Sequence, residues 1–235
     1  MIDQTNAMLS RASALRAQGR GEEALALYRR IVSEAPSHGL ALYSLAAVLG
    51  DEGAFQEAAD VAQRALAVGF DRAETWLVRA RALAGLGRFE PARACFEAVL
   101  TRRPDMLAAR YELSQLVWMC TADRDGALAP FDQALLSNPA EPALLFARAK
   151  ALEYMGEIEA AQNAMASLAN SRPQDLPPQL AAAYLSAAAG HADEAMAFVE
   201  RALERAPDDM DALTAHEYAC LANGRPGAAA QSDQR

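Results

Sequence analysis

Six glycines recur on one beat: Gly19, Gly53, Gly87, Gly156, Gly190 and Gly224, in steps of 34, 34, 69, 34 and 34 residues. The long step is two periods with one residue inserted. Alanines keep the same beat at a second phase, Ala24, Ala58, Ala92, Ala127, Ala161, Ala195 and Ala229, and prolines at a third, Pro36, Pro104, Pro139, Pro173 and Pro207. A fixed period of this length constrains the chain to an array of like units. Each unit is too small to bury its own apolar face, so about three must stack before any is stable. An array offers a surface, and chemistry would have to be added to it.

Each recurring residue has a physical task. Small residues such as Ala12, Ala46, Ala80 and Ala24, Ala58, Ala92 suit the crossing of two helices, where larger side chains would hold the backbones apart. A glycine after the first helix adopts positive φ and stops it. Tyr28, Phe96 and Phe131 fill the gap against the next unit. The proline ends the second helix and starts the following turn. Apolar periodicity agrees: Leu25, Tyr28, Ile31 and Val32 share one helical face, as do Phe96, Val99 and Leu100.

This pattern resembles the tetratricopeptide repeat, a helix–turn–helix unit. The copy with Trp76, Ala80, Gly87, Phe89, Ala92, Phe96 and Pro104 is the clearest. The resemblance implies an all-α fold, a right-handed α-solenoid of about six to seven stacked units. The expected repeats are 5–38, 39–72, 73–106, 107–141, 142–175 and 176–209, with a partial unit at 210–224. They form a single array over 1–224, with a frayed tail at 225–235. Departures from the pattern are informative. Phe70 stands where the second repeat should have proline. The fourth has no glycine at its first turn; Thr121 to Gly126 is one residue longer, which predicts a local kink. Leu176-Pro177-Pro178 predicts a late start to the sixth. Pro226 and Gly227 stand where the last unit should begin its second helix.

Composition excludes several classes of function. A net charge of −9 argues against non-specific nucleic-acid binding. No apolar stretch reaches the roughly 18 residues of a membrane span. The start, Met1-Ile2-Asp3-Gln4-Thr5-Asn6, lacks the basic and apolar regions of a signal peptide. Cys95, Cys120 and Cys220 are odd in number and far apart, which fits buried thiols in a reducing cytoplasm.

No motif makes a case for catalysis, a metal or a cofactor. His216-Glu217-Tyr218-Ala219-Cys220 lacks the second histidine of a zinc-protease helix. His191-Ala192-Asp193 has the spacing of an iron-oxygenase pair but follows Gly190 in a turn, without strands. His38 reads as a solvated turn residue. The cysteines have neither CxxC spacing nor a neighbouring histidine in the repeat frame. Gly85-Leu86-Gly87 lacks the further glycine of a dinucleotide site, and a helix stop accounts for it.

In the family this chain resembles, the first helices of successive units line the concave face. Residues spaced i, i+4, i+7 on those helices form one stripe. That stripe contains Tyr43, Arg81, Tyr111, Gln115, Trp118, Phe146, Lys150, Tyr154 and Tyr184, an aromatic set for a chain with only 6% aromatics. Aromatic, Arg and Met side chains anchor interfaces. The stripe therefore predicts a groove for an extended peptide or a helix of another protein, with Arg81 and Lys150 (the only lysine) facing acidic groups or a terminal carboxylate. The carboxylate clamp of cochaperones in this family does not fit. Leu9, Ser13, Ser44, Glu74 and Val78 stand where it needs Lys, Asn, Asn, Lys and Arg, and Tyr111, Gln115 and Ala147 fail a later register.

The leading expectation is a non-catalytic, cytoplasmic protein–protein interaction scaffold with no nucleic-acid or membrane partner. The alternative is the N-terminal interaction region of a larger bacterial enzyme, such as a 2-oxoglutarate/iron oxygenase, sulfotransferase or glycosyltransferase. Weak self-association through the last helix, with Leu213, Tyr218 and Leu221, is compatible with both.

Overall fold

The computed structural model describes residues 2–224, and those residues form thirteen helices and no strand. The helices are α1 (Ile2–Ala17), α2 (Gly21–Glu34), α3 (Gly39–Asp51), α4 (Phe55–Ala67), α5 (Ala73–Gly85), α6 (Phe89–Arg102) and α7 (Leu107–Thr121). They continue as α8 (Arg124–Ser137), α9 (Pro142–Tyr154), α10 (Ile158–Ser171), α11 (Leu176–Ala188), α12 (Ala192–Arg205) and α13 (Met210–Ala222). Odd-numbered helices open a repeat and even-numbered helices close it. The result is an all-α solenoid of repeats. The expected tail, with Pro226 and Gly227, lies outside the described residues.

The chain divides into two compact units, Met1–Ala122 and Asp123–Arg235. In the first, α1 to α7 pack in sequence and α3 also meets α5. In the second, α8 to α13 pack in sequence and α11 meets α13.

The glycine beat is a helix stop in every copy. Gly19, Gly53, Gly87, Gly156 and Gly190 have φ between 70° and 84°. Beside each, the following N–H reaches back over the helix end, as in Arg20 to Leu15 O at 3.0 Å and His191 to Ser186 O at 2.7 Å. This closure satisfies carbonyls that would otherwise be orphaned. The fourth repeat lacks the glycine, and Ala122 adopts the left-handed conformation instead, at φ 51°. Here α7 runs for 15 residues where α3, α5, α9, α11 and α13 have 13.

The proline beat ends the second helices by restricting the residue before it. Ala35, Arg103, Asn138, Arg172 and Ala206 all leave the helical region, with φ from −132° to −143° and ψ from 65° to 78°. The second repeat, with Phe70 at this point, uses another device: Gly69 turns the chain at φ 85°, and Phe70 N–H closes on Ala65 O at 3.0 Å. Pro177 and Pro178 lie in the first turn of α11. That helix still opens on the period, 34 residues after α9, so the expected late start does not occur. Proline has no N–H to leave unpaired there and its φ already suits a helix.

Both small-residue series are sealed. Ala12, Ala46, Ala80, Ala149 and Ala183 are at most 1% exposed, and Ala24, Ala58, Ala92, Ala127, Ala161 and Ala195 are 0% exposed. Ser114 occupies the same slot in α7, fully buried, and its hydroxyl has no hydrogen-bond partner. An unpaired buried hydroxyl costs free energy that a methyl does not. Ser114→Ala should therefore raise stability by about 1 kcal/mol, measured by urea unfolding; a loss of stability would show that the hydroxyl is in fact satisfied.

The slot filled by Leu42, Trp76 and Leu145 in other repeats holds Arg110 in α7 and Gln179 in α11, both buried. Each reaches back to the preceding repeat. Arg110 donates to Pro104 O at 2.6 Å, and Gln179 donates to Ala169 O at 2.7 Å. These bonds replace apolar packing with a direct hold on carbonyls near the end of the previous second helix.

Candidate interaction surface

Every aromatic residue on a first helix keeps part of its surface in solvent, whereas second helices hold both buried and exposed rings. Tyr28, Phe96, Phe131 and Phe198, all on second helices, are buried, at 0–3% exposure. Tyr43, Trp76, Tyr111, Trp118, Phe146, Tyr154, Tyr184 and Tyr218, all on first helices, keep part of their surface in solvent. Phe55 and Phe89, at the starts of α4 and α6, are partly exposed as well, and both helices of each pair bury aliphatic residues, Leu42, Leu49, Leu113 and Leu152 on first helices among them.

None of the nine groove residues expected from sequence is buried. In the first unit, Arg81 is exposed, and Tyr43, Tyr111, Gln115 and Trp118 are half-buried. In the second, Tyr154 is exposed, and Phe146, Lys150 and Tyr184 are half-buried. The Tyr43 ring lies 5.9 Å from Phe70. The Tyr184 ring lies 5.5 Å from that of Tyr218, and burial, with Asp211 nearby, pushes the Tyr184 phenol pKa up.

The expected cations are already engaged. Arg81 on α5 grips Glu112 on α7 in a two-pronged ion pair, with Arg81 Nε 2.8 Å from one oxygen and 3.1 Å from the other. The hydrogen bond to Glu112 raises the Arg81 pKa, and Asp51 and Tyr43 add to it. Arg16 on α1 meets Asp51 on α3 at 2.5 Å. In the second unit, Lys150 holds Glu153 of its own helix at 2.5 Å. Sequence reasoning missed Glu112 and Asp51. A usable signal existed: Arg81 and Glu112 are 31 residues apart, the same separation as Asp71 and Arg102, which pair at 2.9 Å between neighbouring repeats.

Several smaller readings change. His38 is no solvated turn residue: it caps α3, its Nδ1 accepting the Ala41 N–H at 3.2 Å. Gly85 is not part of the helix stop, which is Gly87. A Cβ on Gly85 would lie 2.8 Å from the Phe55 ring, so this glycine makes room. Cys120 is exposed, against the expectation of three buried thiols, and Cys220 does have a histidine neighbour, His216, at 3.8 Å. Both follow from helix geometry: Cys120 lies on the solvent side of the last turn of α7, and residues four apart share a face. Burial pushes the Cys95 thiol pKa up, and Arg79 opposes it only partly. A thiol reagent should therefore titrate one cysteine rapidly in the native chain, Cys120, and all three after denaturation. Rapid reaction of three would contradict the burial of Cys95 and Cys220.

A shallow cavity of about 420 Å³ opens at the α11–α12 turn, lined by Gly190, His191, Ala192, Asp193, Glu194 and Asn223. Among the described residues, neither this cavity nor any other place gathers three His, Cys, Asp or Glu side chains able to hold a metal. No helix among them is long and apolar enough to cross a membrane.

The sequence matches the tetratricopeptide repeat family over residues 9–73 and 77–119. Over those residues the chain is built of tetratricopeptide repeats. Its fold is similar to the crystal structure of a tetratricopeptide repeat protein from Parabacteroides merdae, with a TM-score of 0.65 at 18% identity over 99% of this chain and 91% of that one. It is also similar to the C-terminal part of a tetratricopeptide repeat protein from Cytophaga hutchinsonii, with a TM-score of 0.62 at 12% identity over 95% and 98% of the two chains. Likeness to pilF of Pseudomonas aeruginosa gives 0.59 at 19% identity, over 90% and 96%. No curated protein matches the sequence. These likenesses establish the repeat fold.

Proposed function

We propose that this tetratricopeptide repeat chain is a non-catalytic scaffold that binds a segment of another protein on the exposed face of its first helices. The observation that carries this reading is that all eight aromatics of the first helices keep part of their surface in solvent. Half-exposed Tyr and Trp give up water readily and lose little rotamer freedom, so they anchor interfaces. Tyr43, Tyr111, Gln115 and Trp118 in the first unit, and Phe146, Lys150, Tyr154 and Tyr184 in the second, are the contact residues.

The test is affinity capture from source-cell lysate with the full chain and with a Tyr111→Ala/Lys150→Glu variant of equal helicity. A partner retained by the first and lost by the second supports the reading. Identical captures by both baits would overturn it.

A second reading places the repeats within a larger enzyme. It is favoured by likeness over 58% of this chain to 26% of an O-GlcNAc transferase chain from Thermobaculum terrenum, with a TM-score of 0.53 at 21% identity. The apparent mass of the native polypeptide on an immunoblot of source cells decides between the two readings.

A further inference from the structure

The first unit carries its own answer to what kind of segment its first-helix face accepts. The Arg81–Glu112 pair joins α5 to α7, and the Arg16–Asp51 pair joins α1 to α3. Two cations and two carboxylates thus cancel along the face, whereas the whole chain carries −9. Glu74 of α5 is likewise taken, by Arg103 at 3.4 Å. Beside these pairs the face carries Leu40, 44% exposed, and Met119, 62% exposed, with Tyr43, Leu77, Val78, Trp118 and the neutral Gln115 half-buried.

From this geometry we infer that the first-helix face of the first unit takes a partner segment whose contacting side chains are apolar and uncharged, not an acidic peptide or a terminal carboxylate. The inference rests on the function proposed above and narrows it. An acidic ligand would find Arg81 Nε and Nη2 already committed to Glu112 and would set its own charge beside that of Glu112. A new exposed pair made there returns little, and the like charge of Glu112 opposes it. An apolar segment leaves both pairs intact and covers Leu40, Leu77 and Met119. Its affinity then depends little on salt, because no counter-charge is screened.

The probe is a displayed library of random peptides about 16 residues long, about four and a half turns if helical, selected on the full chain and on three variants checked for equal helicity. Selection on the native chain should enrich apolar residues without excess Asp or Glu. Selected peptides should bind within about twofold between low and high salt. Leu40→Asp/Met119→Asp should weaken them at least tenfold, while Met119→Leu should not. Glu112→Gln, which releases Arg81, should shift selection toward carboxylate-bearing peptides. Enrichment of acidic, salt-sensitive peptides by the native chain would overturn this inference and leave the binding face standing. Selected peptides indifferent to Leu40→Asp/Met119→Asp, or no enrichment at all, would overturn both.

Discussion

Phe96→Ala should lower the stability of the first unit by roughly 3–5 kcal/mol, the range for truncating a buried phenylalanine. Phe96 is 2% exposed on α6, which packs between α5 and α7. That helix therefore serves both the pairing within its own repeat and the seam with the next. Alanine would forfeit the transfer energy of the ring and leave a void that the neighbours close only in part. In an array, stability is a sum of unit and nearest-neighbour terms, so loss at one seam uncouples what lies on either side. A lowered urea midpoint by circular dichroism, with a second step appearing in the transition, is the expected result. Phe89→Ala is the matched control. Phe89 begins the same helix but is 39% exposed, and its loss should cost under about 1 kcal/mol. Equal costs for the two would show that the buried slot does not anchor the stack.

The second large effect comes from a glycine. Gly39→Ala should destabilise by about 1–3 kcal/mol, although alanine is the better helix former. A Cβ at Gly39 would lie 2.5 Å from the Phe70 Cβ and 2.8 Å from its Cγ. These atoms are the root of the side chain, so no rotamer change clears them and the α4–α5 turn must move. Gly50, near the other end of the same helix, has nothing within 4 Å of the equivalent Cβ. Gly50→Ala should therefore gain roughly 0.5–1 kcal/mol from backbone entropy alone. Thermal melts of the two variants should move in opposite directions. Two shifts of the same sign would mean that Phe70 does not stand against α3.

The pairing of Gly39 with Phe70 shows where sequence reading stops. Phe70 could be recognised as a departure from the proline beat. That the proline's task passes to Gly69, and that Phe70 leans on Gly39 and Tyr43, required the turn itself. Ala122 is a similar case. The absent glycine was visible, but the chain keeps the left-handed turn without it, at φ 51°.

The candidate surface divides along the same line. Which residues the first helices direct outward was legible, because a helix of fixed pitch turns a spacing of three and four residues into a face. All nine expected groove residues retain some exposure. Their charge state was not legible. Arg81 and Lys150 looked like free cations in the sequence, yet Glu112 and Glu153 hold them. Glu153 lies three residues from Lys150 on one helix, whereas Glu112 reaches Arg81 only because α5 and α7 stand side by side.

By itself, the sequence determined the repeat, the helix pairing, the stops and the sealed small-residue seam. Each of these is a local rule of backbone conformation or side-chain volume, repeated every 34 residues. Tertiary structure alone decided which charges cancel across neighbouring repeats and which glycines yield room to an aromatic ring. Those outcomes depend on distances between residues some 30 apart in the chain, and only the packing of one helix pair on the next sets such distances.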